Sequence, residues 1–208
     1  MADLPFDLDP PLAEQLARVF DVEGKIPRAL EALGPVRARD VVLVDGPDGI
    51  RARQLRELGA RVTLMASSGP AAFDAPDDSA DALVAAWSAF RAAPADELAQ
   101  AERILRPGGR LLVLQDYGRD DVTTMLGSPP EPLTWSRRDG PYLQAGFRIR
   151  VIHCFWTFAS MEETGTFLDA AFGEAGRTVH AAMARPRISY NVAVFHRTFG
   201  SADGEEPR

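Results

Sequence analysis

Three clusters of side chains in this sequence have the means to do chemistry. The first is Asp45-Gly46-Pro47-Asp48-Gly49, two carboxylates in a glycine turn directly after the apolar run Val41 to Val44. Glycine lets a ligand approach the main chain, and a carboxylate there can meet an amine or a ribose; Asp-Gly and Pro-Asp-Gly also serve as plain turn residues. The second is Trp87-Ser88, just past another apolar run, where an aromatic can flank an adenine or an acceptor, or simply plug a gap. The third is Asp116, Tyr117, Arg119, Asp120 and Asp121. Asp116 or Tyr117 can act as general base toward an acceptor. The bland alternative is a solvated loop whose opposite charges pair with each other.

Other reactive types read less sharply. Trp135 with Arg137 and Arg138 suits either a clamp on a carboxylate or a surface turn that packs one tryptophan. His153 and His196 fall in presumed central strands, where satisfied histidines are commoner than catalysts. Arg185-Pro186-Arg187 reads as a solvated connection. Cys154, the single cysteine, lies in an apolar strand and reads as a core thiol, and no metal-ligand spacing exists.

The elements that position these residues follow from periodicity. Asp9 stands as N-cap to a helix with Pro10 in its first turn and Leu12, Leu16, Val19 and Phe20 on one face. A second helix spans roughly Pro27 to Leu33 and stops at Gly34-Pro35. Val41 to Val44 is a buried strand, Ile50 to Leu58 a helix and Arg61 to Met65 a strand, which together form a βαβ unit. Ala82 to Ala86, a helix from Ala95 to Leu105, a turn at Arg106 to Gly109 and a strand at Arg110 to Leu114 repeat the pattern. Residues 116–141 read as a long loop with a helical turn. A strand from Arg148 to Phe158, a helix opened by the capping box Ser160 to Glu163, and a last strand from Arg187 to Thr198 complete the chain. This alternation implies a doubly wound, mainly parallel α/β sheet. Residues 1–34 form an N-terminal helical segment, 35–199 the α/β domain and 200–208 a disordered tail.

Composition narrows the partners. The chain has 208 residues, a length for one domain, with a net charge of −7 that speaks against nucleic-acid binding. No apolar run of about 18 residues occurs, so no membrane span is expected, and the acidic N-terminus lacks a secretory pattern. A cytoplasmic location follows by default. Lys25 is the sole lysine; the abundance of arginine reads as codon bias.

Three segments together resemble the class I S-adenosylmethionine-dependent methyltransferases, the methyltransferase type 11-like group in particular. Ala101 to Leu114 contains the family's Leu-Arg-Pro-Gly-Gly turn into its fifth sheet strand. Phe73 to Trp87 is similar to the family's approach to its fourth strand, and the βαβ unit from Val41 is the third segment. The resemblance covers roughly residues 35–118. It implies a cofactor site formed by Asp45, Gly46, Asp48, Gly49, Ala66 and Trp87, with binding at the carboxyl ends of the strands.

The sequence departs from the family pattern at three places. The acidic position of the family's glycine motif falls on Leu43, the first two glycines on Asp45 and Pro47, and only the third survives, as Gly49. The acidic residue that accepts from both ribose hydroxyls is replaced by Ala66. The interval from Ala66 to Asp81 is too short for the family's outer βα unit, so the expected sheet lacks its outermost strand. Two functions are open. One is S-adenosylmethionine-dependent methylation of a small molecule through an altered site, with no metal required. The other is a catalytically inactive relative kept as a binding or protein-interaction module, with a homodimer through the exposed sheet edge.

Overall fold

The computed structural model describes Phe6 and residues 8–46, 48–66, 73–127 and 134–200. The tail at 201–208, Pro47 and part of the 116–141 loop lie outside the described residues. Seven helices and six strands alternate along them: α1 (Pro10–Val19), α2 (Lys25–Leu33), β1 (Asp40–Val44), α3 (Ile50–Glu57), β2 (Arg61–Met65), β3 (Ala80–Ala86), α4 (Ala95–Ile104), β4 (Leu105–Asp116), α5 (Asp121–Leu126), α6 (Pro141–Gln144), β5 (Arg148–Thr157), α7 (Met161–Ala182) and β6 (Arg187–Thr198).

The six strands form one sheet in the order β2-β1-β3-β4-β6-β5. The pairs β1–β2, β1–β3 and β3–β4 are parallel. β6 lies antiparallel between β4 and β5. Among the described residues β2 is an outer strand, with Leu64 38% exposed, as the short interval after Ala66 implies.

The uninterrupted apolar runs exist because both sheet faces are covered. Odd positions of β1 and even positions of β4 (Val41, Leu43, Leu112, Leu114) meet α1, α2, α3, α5 and α7. Their neighbours (Val42, Val44, Leu111, Val113) meet α4, Trp135 and Tyr142 on the other face. No helix among the described residues is long and apolar enough to cross a membrane.

Several local expectations are corrected. Asp9 holds the N-cap position of α1 but makes no side-chain cap. The capping carboxylate belongs to Asp21, which accepts from the Lys25 and Ile26 N–H groups at 2.9 and 2.8 Å and opens α2 earlier than expected. The Arg106 to Gly109 run is part of β4, because Gly108 donates to Phe199 and Gly109 accepts from it. His153 lies on the outer strand β5, not a central one. Residues 116–141 contain α5, whose N-cap Asp120 accepts from the Thr123 N–H at 2.7 Å.

The capping box of α7 is present: Glu163 N–H donates to Ser160 Oγ at 3.0 Å, and its carboxylate accepts from the Ala159 N–H. α7 folds back on itself at Gly173, whose φ of 57° and ψ of −130° suit glycine. The two arms close through glycines. A Cβ at Gly165 falls 2.7 Å from the His180 ring, and one at Gly176 lands on the Leu168 carbonyl.

Candidate functional site

The parallel strands direct the ends of β1, β2, β3 and β4 to one edge of the sheet, where open α/β sheets take ligands. The end of β5 and the start of β6 extend the same edge, because Thr157 pairs with Arg187.

The glycine turn closes onto its own strands. Asp45 takes a left-handed backbone (φ 52°) and its N–H donates to the Met65 carbonyl at 2.7 Å. The room beside Gly46 is taken from below: a Cβ there falls 2.6 Å from the buried Leu43 side chain. Asp48 pairs with Arg56, and Gly49 serves as N-cap of α3. An open groove of about 500 Å³ runs past Asp48 and Gly49 along α3. Ala66, at the end of β2, is exposed. Phe73 is buried and packs on Phe90 with ring centres 5.4 Å apart, covering the sheet beside β3.

Trp87 and Asp116 come together as neighbours at adjacent strand ends. Trp87, also left-handed (φ 54°), donates from Nε1 to Asp116 Oδ1 at 2.8 Å. Tyr190 of β6 donates its hydroxyl to the same oxygen. Burial raises the Asp116 carboxyl above its ordinary range, against the lowering effect of these two donors, and the residue stays partly exposed. Burial, with the Asp116 charge, also raises the Tyr190 phenol. Ser88 donates to the Val44 carbonyl at 2.9 Å and so ties β3 to the end of β1.

Beneath this pair lies a residue the sequence did not single out. Arg51, on the first turn of α3, is 1% exposed, and its guanidinium sits 5.3 Å from the Phe20 ring centre and 5.6 Å from that of Trp87. Its Nη1 donates to Gln54 at 2.6 Å. Phe20 in turn packs on Tyr190 at 5.3 Å. Arg51, Phe20, Trp87, Asp116 and Tyr190 thus form one contiguous cluster at the edge. A glycine two residues before an arginine is the only sequence signal for Arg51, and the many arginines of this chain obscure it.

The remaining candidates are placed elsewhere. Tyr117 packs beside the second core, with Arg119 over its ring at 5.7 Å. Asp120 and Asp121 are fasteners: their carboxylates accept from Asn191 N–H and from Ser189. Trp135 is buried against Tyr142, with Arg91 rather than Arg137 or Arg138 over its ring. Cys154 is a core thiol raised by burial. His153 bonds Asn191, and burial lowers His196, which lies near Arg110 and Arg148.

Two solved structures share this architecture along nearly their whole length. A S-adenosylmethionine-dependent methyltransferase from Aquifex aeolicus is 15% identical, with 91% of this chain and 98% of that one covered at a TM-score of 0.50. The fold is that of the class I methyltransferases. A protein of Anabaena variabilis assigned as a methyltransferase of an antibiotic biosynthesis pathway also has this methyltransferase fold: 16% identity, 86% and 98% coverage, TM-score 0.50. No family model and no curated protein sequence matches the chain. The strand order agrees with the methyltransferase fold expected from the sequence, shortened by its outer strand among the described residues.

Proposed function

We propose that this chain is a binding protein on the methyltransferase fold whose cofactor place has been taken over by its own side chains. The observation that carries the reading is Arg51, a buried cation on the aromatic faces of Phe20 and Trp87. S-adenosylmethionine brings a positively charged sulfonium to its pocket, and a second cation at those faces opposes it. Two further features agree. Ala66 offers no acceptor for the ribose hydroxyls, and bonds to a charged acceptor contribute about 1.5–3 kcal/mol each. Leu43 fills the room beneath Gly46. These residues do not fit the cofactor in the family's manner, so no methyl-transfer step is derived from them.

Asp116 favours a second reading, S-adenosylmethionine-dependent methylation of a small molecule. Its carboxyl is partly exposed, raised by burial and oriented by two donors on one oxygen. That is how a general base is prepared at an active site. In this reading Asp45, Gly46, Asp48, Gly49, Ala66 and Trp87 surround the cofactor, and Asp116 or Tyr117 receives the acceptor's proton.

Calorimetric titration with S-adenosylmethionine and S-adenosylhomocysteine separates the two. The binding-protein reading expects no heat and no thermal shift at about millimolar ligand. A micromolar Kd for either ligand, weakened by Gly49→Val, overturns it in favour of the methyltransferase. The binding reading also includes a pair of copies along β2, and a monomer by light scattering removes that part of it.

A further inference from the structure

A groove of about 450 Å³ runs along the carboxyl edge between α5, the end of α7 and the start of β6. Its size falls in the range of small-molecule sites. Val179, Met183 and Ile188 supply apolar walls, and Arg185 and Arg187 stand beside them. We infer that this groove binds a small organic anion with an apolar body.

The charges decide the sign of the ligand. The guanidinium of Arg187 is already committed: it lies 3.6 Å from the Phe155 ring centre and pairs with Glu23. Arg185 is exposed and has no ion-pair partner among the described residues. It is therefore the cation ready to meet an incoming carboxylate. Asp121, on the α5 wall, is the one carboxylate lining the groove among the described residues, and its Oδ2 accepts from both the N–H and the hydroxyl of Ser189. The apolar wall is braced from behind, because the second arm of α7 packs closely on the first through Gly165 against His180 and Gly176 against Leu168. The His180 ring also bonds the Met161 carbonyl at 2.9 Å, which ties the arm's end to the helix start. A preformed wall reduces the ordering cost of binding.

The inference rests on the binding-protein reading only in treating the carboxyl edge as a place for ligands. Binding of S-adenosylmethionine would overturn that reading and leave the groove's own test standing.

The test titrates the full chain with octanoate and, as the charge-reversed probe, octyltrimethylammonium. Octanoate is expected to bind at least about tenfold more tightly. Arg185→Glu should weaken octanoate by about tenfold or more, and Met183→Glu, which puts a carboxylate on the apolar wall, should do the same. Both positions follow the end of α7, Arg185 exposed and Met183 half-buried, and thermal melts verify that each variant is folded. Equal affinity for the two probes, no octanoate binding at about 10 mM, or wild-type affinity in Arg185→Glu overturns the inference.

Discussion

The guanidinium of Arg51 lies 5.6 Å from the centre of the Trp87 ring, so the residue after β3 is packed against a cation from the first turn of α3. The stem of Arg51 is as buried as its head, and both contribute packing. We expect Arg51→Ala to lower stability by about 2–4 kcal/mol in urea denaturation, through lost volume and a lost cation–π contact. Arg51→Met keeps most of the volume and should cost about 1 kcal/mol or less, since a buried charge is expensive to desolvate. Equal losses in the two variants would mean that the guanidinium, rather than the volume it fills, explains the residue.

The raised Asp116 carboxyl makes stability depend on pH in a definite direction. The folded protein binds this proton more tightly than the unfolded chain does, so the stabilisation is complete below the unfolded value near ~4 and is lost as pH rises through the folded one. Asp116→Asn keeps an oxygen for the Trp87 and Tyr190 donors and cannot titrate. Its pH–stability curve should be flatter than that of the wild type above pH ~4. Superimposable curves would show that the carboxyl titrates alike in both states.

Asp21 anchors α2 with both carboxylate oxygens, on the Lys25 and Ile26 N–H groups. Asp21→Ala should cost about 1–2 kcal/mol, the usual effect of removing a cap, and Asp21→Asn should restore part of it. By contrast Asp9→Ala should be near neutral, since Asp9 makes no side-chain cap. Chemical denaturation of the three variants checks the order.

The glycines of the α7 hairpin differ in what surrounds them. A methyl at Gly176 meets the Leu168 carbonyl, which is backbone and cannot step aside. A methyl at Gly165 meets the His180 ring, a side chain that can turn. Gly176→Ala should lower stability by about 3 kcal/mol or more, Gly165→Ala by about 1–2 kcal/mol. The reverse order in thermal and urea unfolding would contradict the packing described for the two arms.

The sheet was legible because strands covered on both faces are written as uninterrupted apolar runs. Val41 to Val44, Ala82 to Ala86 and Leu111 to Leu114 stand out between turns for that reason. That β2 is an outer strand among the described residues was legible in the short interval after Ala66. What stayed hidden depends on residues far apart in the chain. Phe20, Arg51, Trp87, Asp116 and Tyr190 meet only after the sheet forms, and no local pattern marks Arg51 among so many arginines. Asp9 and Asp21 look alike as caps in sequence, and backbone geometry alone tells them apart. Proline and two glycines suggested a turn at 106–109, but pairing with Phe199 draws the segment into β4.

Leu43 beneath Gly46 couples a strand position to the turn above it, so that neither can be altered alone without loss. A carboxylate alone at 43 would be buried without water, and a vacated Leu43 would leave a hole under the turn. Each single substitution at position 43 therefore gives a less stable protein, and the strand and its turn hold one another in their present form.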